Sequence, residues 1–348
     1  MNLIDTVKKN INDINRYKIY EGPTEIEKHD GLKDALNLDC NLYIKREDQI
    51  KSFCGNKVRY IEYLLGEYYE GNYDCIIHGG GNTSNYMFQL AVICAELKIP
   101  LYLVILNREK YNPSLNLELI KLLGATLYIV DSTKRNGTNA ADKDHLYEEL
   151  ISDGRSPYKI EYPFGNIAAY LGYSQTYLEI LNQCHISRIA EKFSDIFICS
   201  RWHSYVGLKT LALLNDDPVN IHCIQPSHWH GSGLDLIEPD INKFICYKIQ
   251  EFLHFLNQSV KVNADFIYEQ YVGCSYGSAN KDIWDLISKV ASNSSVLLDP
   301  IYTAKAFSGM LNIVKSNKIK SNVLFIHTGG QLNLFSQLIN KSEAFCCE

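Results

Sequence analysis

Short, unbroken apolar runs alternate with longer stretches of helical period over most of the chain. The runs are Leu42-Tyr43-Ile44-Lys45, Asp74-Cys75-Ile76-Ile77, Leu101 to Ile105, Thr126 to Val130, Ile196 to Cys199, Ile221 to Ile224 and Val323 to Ile326. Helical patterns fall between them at 57–70, 84–97, 115–123, 140–152, 170–191, 205–214, 241–257, 279–292 and 303–316. A strand with one wet face alternates apolar and polar residues, whereas a strand covered on both faces reads as a continuous apolar run. Continuous runs separated by helices therefore predict an α/β fold, with mainly parallel sheets in three-layer, open domains. The pattern divides into a small unit at 49–165 and a large one built from 1–48 and 166–348. Polar stretches at 131–139 and 226–240 read as loops.

Composition narrows the class. The chain has 348 residues, is 46% apolar and carries a net charge of −6, enough for full cores and the wrong sign for a nucleic-acid surface. No apolar run reaches the length of a membrane span, and the N-terminal residues lack the basic and apolar regions of a signal peptide. Eleven cysteines, without a Cys-x-x-Cys, are read as reduced thiols of a cytoplasmic protein. His228-Trp229-His230 has no third ligand at a recognisable spacing and is read as surface, so no metal is expected.

Candidate chemistry gathers at the strand ends, where open α/β sheets bind ligands. His78-Gly79-Gly80-Gly81-Asn82-Thr83-Ser84-Asn85 follows one strand, and His327-Thr328-Gly329-Gly330 follows another. The three glycines are not followed by Lys-Ser/Thr, so they are no nucleotide P-loop. Lys57, in Cys54-Gly55-Asn56-Lys57-Val58-Arg59, stands at a predicted helix start. The local field there is positive, so a lysine gains nothing from the helix dipole. That field, with burial, favours the neutral amine that Schiff-base chemistry needs.

These residues also carry a resemblance. Residues 54–65 resemble the Gly-Gly-Asn-Lys-x-Arg-x-x-Glu-x-Leu signature of the pyridoxal-phosphate enzymes related to 1-aminocyclopropane-1-carboxylate (ACC) deaminase and D-cysteine desulfhydrase. Lys45-Arg46-Glu47-Asp48, Thr83-Ser84-Asn85, Leu122-Leu123-Gly124-Ala125, Leu171-Gly172-Tyr173, Tyr276-Gly277, Leu298 to Lys305 and Ile326 to Gly330 follow in that family's order, across roughly residues 20 to 335. The resemblance implies a tryptophan synthase β-like fold, pyridoxal 5′-phosphate as cofactor, a small amino acid as substrate and a homodimer. It makes Lys57 the Schiff-base lysine and general base. Asn85 becomes the partner of the pyridoxal 3′-oxygen, and Ser84 a holder of the substrate carboxylate. Tyr276 and Tyr302 would face the substrate, and Thr303 the pyridine nitrogen. Asn56, His327, Thr328 and Gly329 would line the cofactor, with His327 shaping the site.

The phosphate loop departs from the family's Ser-Gly-Gly-Thr-x-Ala-Gly. Here Ser200-Arg201-Trp202-His203-Ser204-Tyr205-Val206-Gly207 follows the strand. One reading keeps the cradle, with Ser200, Ser204, Tyr205 and Gly207 around the phosphate and Arg201 or His203 adding charge. The other loses it and leaves a non-catalytic paralogue. Threonine at 303, where ACC deaminase has glutamate, favours desulfhydrase-like β-elimination over ACC deamination. A β-replacement synthase is a further alternative.

Overall fold

A computed structural model describes residues 3–51, 55–107, 114–131, 140–160, 166–186, 192–230, 234–273 and 277–345. In chain order it opens with α1 (Leu3–Asp13), β1 (Ile26–Lys28), α2 (Asp30–Ala35) and β2 (Asn41–Lys45). There follow α3 (Val58–Glu70), β3 (Cys75–Gly81), α4 (Asn85–Leu97), β4 (Leu101–Asn107), α5 (Leu115–Leu122), β5 (Thr126–Asp131), α6 (Ala140–Ser152) and β6 (Pro157–Lys159). The remainder is α7 (Asn166–Ile186), β7 (Asp195–Cys199), α8 (His203–Leu214), β8 (Asn220–Ile224), α9 (Ile241–Phe255), β9 (Ile267–Tyr268), α10 (Lys281–Asn293), α11 (Thr303–Ser316), β10 (Asn322–Ile326) and α12 (Gln331–Phe345).

Two compact units result. The larger comprises the described residues of Met1–Ile14, Tyr20–Tyr60 and Ile167–Gln331. Its sheet has the order β1-β2-β10-β7-β8-β9, parallel except where β1 joins β2. Every residue of β7 is buried, as are all but the first of β2, β8 and β10, which is why these strands read as unbroken apolar runs. Phe307 of α11 packs edge-on against Phe325 of β10, 5.0 Å between ring centres. The smaller unit comprises Asn15–Ile19, Ile61–Asn166 and the described residues of Leu332–Glu348. Its all-parallel sheet runs β5-β4-β3-β6. Cys75, Ile77, Val104, Leu146 and Leu150 form a buried cluster on one of its faces.

Three observations differ from the sequence expectations. Lys57 belongs to the larger unit, whereas a division at residue 49 groups it with the smaller; the turn that carries it bonds to residues far along the chain in the larger unit. The helix expected over 170–191 begins at Asn166 and is described to Ile186. The helical patterns read from the sequence end at 303–316, whereas α12 follows Gly330 at once. No helix among the described residues is long and apolar enough to cross a membrane.

Candidate active site

In each sheet the strand order reverses at one point, the kind of place where open α/β sheets bind ligands at the carboxyl ends of their strands. In the larger unit the sequence steps from β7 outward to β8 and β9, then returns to β10 on the other side of β7. The segments leaving this switch point are Ser200 to Trp202 after β7 and His327 to Gly330 after β10. The turn carrying Lys57 is bonded to the second of them, since Asn56 N–H donates to Thr328 O at 3.3 Å. Asn56 Nδ2 donates to Tyr173 OH at 2.8 Å, and Tyr60 OH is 2.7 Å from Ser204 Oγ. Lys57 Nζ lies 5.0 Å from the centre of the Tyr60 ring. Burial pushes the Lys57 amine down to about 8, with Cys199 opposing the shift.

A buried ion network anchors the same turn and accounts for the Lys45-Arg46-Glu47-Asp48 motif. Arg59, two residues beyond Lys57, grips Glu47 through Nε and, at 2.7 Å, through Nη2. It holds Glu179 of α7 at 2.7 and 2.8 Å. Lys45 Nζ donates to Glu179, Gln183 and Thr24 O. Arg46 forks onto Asp48 with two bonds of 2.9 Å. Neighbours in the motif thus serve different partners, with positive and negative charges matched inside the fold.

Trp202 is packed into an aromatic cluster. Its ring is 1% exposed and packs edge-on against Trp229 and against Phe244 of α9, at 6.4 and 5.3 Å. It stands at the cap position of α8 without any side-chain cap bond, so the helix offers its first-turn N–H groups uncapped. Such an end suits a phosphate. Burial pushes His203 down to about 3, reinforced by the positive charges of Lys57, Arg201 and Lys248. His203 is therefore neutral and adds no charge, whereas the field at this end of α8 is positive. Ser200 N–H donates to Ile224 O and extends the sheet. Tyr205 OH is spent on Asp265 O at 2.8 Å. Gly207 lies in the second turn of α8, where a Cβ would come within 2.4 Å of Tyr170 O in α7. Helix packing, not a phosphate cradle, is what requires glycine there.

Thr303 is closed into a reciprocal pair with Asp299. Its hydroxyl donates to Asp299 Oδ1 and accepts from Asp299 N–H, both at 2.7 Å. The Asp299 carboxylate also accepts from the N–H groups of Ile301, Tyr302 and Thr303 and so caps α11. Burial raises the Asp299 pKa against these bonds. Gly330, at φ +107°, passes so near that a Cβ would lie 2.6 Å from the carboxylate. His327 Nδ1 accepts from Gly329 N–H at 3.2 Å, which leaves Nε2 to donate to Leu297 O at 3.0 Å. This bonding shapes the turn through Thr328 and Gly329. Tyr302 is half-buried at the start of α11, and Tyr276 lies outside the described residues.

In the smaller unit the order reverses at β3, whose end runs into Asn82 to Ser84 and α4. Ser84 caps α4, its Oγ accepting from Met87 N–H at 3.3 Å. Asn85 is the first residue of the helix, and its Oδ1 accepts from Asn116 Nδ2 at 3.0 Å. Sequence reasoning gave no individual role to Asn116, Asp299, Tyr173 or Tyr60, although Tyr173 and Asp299 lie within motifs that carry the resemblance. Only Asp299 carried a local signal, an aspartate four residues ahead of a threonine at a helix start. Among the described residues no group of His, Cys, Asp or Glu is arranged to hold a metal ion.

Within the larger unit, a lysine with a lowered pKa and an uncapped helix N-terminus meet at the switch point, which suits pyridoxal phosphate; the smaller unit carries a polar loop at its own switch point. The chain is 29% identical over 301 residues to a putative ACC deaminase of Pyrococcus horikoshii, covering 85% of this chain and 86% of that protein. It is 26% identical over 345 residues to a D-cysteine desulfhydrase of Klebsiella pneumoniae, covering 94% and 98%. A crystal structure of an ACC deaminase homologue has the same fold, with a TM-score of 0.80 at 24% identity over 93% of this chain and 94% of that one. A family model described as "Pyridoxal-phosphate dependent enzyme" matches residues 17–329, most of the chain, and the protein therefore belongs to the pyridoxal-phosphate-dependent enzymes.

Proposed function

We propose that the protein removes ammonia from a small amino acid by β-elimination, as a D-cysteine desulfhydrase does, giving pyruvate, ammonia and a leaving group such as sulfide. Lys57 would hold the aldehyde carbon of the cofactor, the first turn of α8 with Ser200 its phosphate, and Asn85 its ring oxygen. When bound, the cofactor supplies an electron sink for the charge left on the α-carbon. Lys57 Nζ takes the proton from that carbon. With a pKa of about 8 it is neutral in about a tenth of molecules at pH 7, against under a thousandth for an ordinary lysine. The Cβ–S bond then breaks with its electron pair leaving on sulfur, and water releases ammonia from the remaining three-carbon unit. Ser84 O–H and the N–H groups at the start of α4 orient the substrate carboxylate.

The observation that carries elimination over ring opening is the closed Asp299–Thr303 pair. Position 303 offers no carboxylate to a ring nitrogen, so the sink is shallower. A shallow sink suffices where the leaving group carries electrons away, and opening a cyclopropane demands more. A second reading, ACC deamination, draws on the name of the Pyrococcus relative. Incubation of the cofactor-loaded enzyme with D-cysteine, L-cysteine and ACC separates the two. Sulfide and pyruvate in equal amounts from a cysteine, lost in Lys57→Ala, are expected. Release of 2-oxobutyrate from ACC with no sulfide from either cysteine would refute the elimination reading. Incorporation of an added nucleophile into a new amino acid would reveal β-replacement.

A further inference from the structure

Asn85 can present its carboxamide in either of two orientations, and the structure contains a device that selects one. Asn116, in the first turn of α5, is 1% exposed. Its Nδ2 donates to Thr83 O at 3.3 Å and to Asn85 Oδ1 at 3.0 Å. A backbone carbonyl only accepts, so the nitrogen end of Asn116 must point at this loop. An NH2 group only donates, so the oxygen of Asn85 must face it. The NH2 of Asn85 is thereby turned the other way, and it makes no hydrogen bond among the described residues. Ser114, which caps α5 by accepting from Leu117 N–H at 3.2 Å, donates its hydroxyl to Asn82 O at 2.5 Å. The N-terminus of α5 thus staples the 82–85 loop at Asn82 O, Thr83 O and Asn85 Oδ1.

The consequence is a loop whose available groups are donors. Ser84 Oγ already accepts from Met87 N–H, which leaves its O–H to donate. Asn85 adds an NH2, and the start of α4 adds backbone N–H groups. Burial of Asn116 keeps water from replacing its two bonds. Were Asn85 to flip, two NH2 groups would face each other and the bond would be lost.

We propose that Asn116 is a positioning residue which fixes the Asn85 carboxamide with its NH2 outward, so that this loop accepts a cofactor whose ring oxygen is an acceptor. The proposal rests on the reading that Asn85 contacts that oxygen.

A double-mutant cycle tests it, with pyridoxal phosphate as the probe. The dissociation constant and the absorption maximum of the bound cofactor are measured for wild type, Asn85→Ala, Asn116→Asp, Asn116→Ala and both double variants. Aspartate at 116 only accepts, so it turns the Asn85 oxygen outward against the cofactor. It stands at the second position of a helix, where a negative charge is well placed. Asn116→Asp is expected to weaken cofactor binding about 10- to 100-fold and to shift the absorption maximum. Asn116→Ala, which frees Asn85 to rotate, is expected to cost about fivefold or less. In the Asn85→Ala background both changes at 116 should cost nothing further.

Additive losses at 85 and 116, or an unshifted absorption maximum in Asn116→Asp, would overturn the positioning role. If Asn85→Ala leaves both affinity and spectrum unchanged, the underlying assignment of Asn85 fails and the proposal falls with it. Thermal unfolding without cofactor identifies a variant that has lost its fold; should Asn116→Asp be one, the cycle with Asn116→Ala decides alone.

Discussion

Gly207→Ala sets two effects of opposite sign against each other. In an exposed helix interior, alanine is better than glycine by about 1 kcal/mol, because glycine loses more backbone freedom on folding. At 207 the added Cβ would lie 2.4 Å from Tyr170 O, 2.8 Å from Tyr173 Cβ and 3.2 Å from Ser174 N. Two of these atoms are backbone and the third is a Cβ, all on α7, so none can rotate away. Ordinary contact needs about 1 Å more, and α8 would have to move bodily. Overpacking of this kind costs about 1–3 kcal/mol, and a rigid neighbour puts it at the upper end. The net expectation is a loss of about 1–2 kcal/mol, or a fall in Tm of about 1–3 °C. Calorimetry on the cofactor-free protein reads the fold, and a cofactor titration reads the displaced first turn of α8, where Ser204 would draw away from Tyr60. A variant with Tm equal to or above that of the parent would show that α7 yields freely, and would refute the close-packing account of this glycine.

Three further outcomes follow from the site and its supports. The folded pKa of Lys57, about 8, lies below its unfolded value near 10.5, so the unfolded chain binds more protons between these limits; this group makes the fold gain stability as pH rises through that window and penalises it below. Competitive acylation with mass spectrometry should accordingly give Lys57 a titration midpoint near 8, and a midpoint near 10.5 would refute the burial argument. Glu47→Gln strips a fully buried carboxylate from Arg59 and Thr24 and should cost about 3–5 kcal/mol in urea unfolding; a cost below about 1 kcal/mol would mean that the network is already neutral. Thr303→Ala removes both bonds to Asp299 and should cost about 1–3 kcal/mol, whereas Thr303→Ser should recover most of it, and equal losses in the two would argue against the hydroxyl.

Legibility of the fold followed burial. The runs at 42–45, 101–105, 126–130, 196–199, 221–224 and 323–326 appear as β2, β4, β5, β7, β8 and β10 within a residue or two. Central strands covered on both faces admit no polar alternation. Strands β1, β6 and β9 are two or three residues long and leave no pattern to read. The unit boundary fell elsewhere than the sequence division, because Asn56, Arg59 and Tyr60 are bonded to residues 173, 179, 204 and 328. Such long-range pairs have no local signature. At the site, Lys57 stood out at a predicted helix start, and the loop around Ser84 as small polar residues at a strand end. The roles of Tyr205, Gly207 and Thr303 did not, since a neighbouring helix or an aspartate decides what each side chain touches.

By itself the sequence determined the alternation of buried strands and helices, the lysine in the turn before α3 and the family to which its motifs belong, because periodicity and short motifs are local properties. The tertiary structure alone decided that Trp202 is turned into an aromatic cluster, that Thr303 is bonded to Asp299 and that Asn116 orients Asn85. These depend on which atoms distant parts of the chain bring within hydrogen-bonding or van der Waals reach.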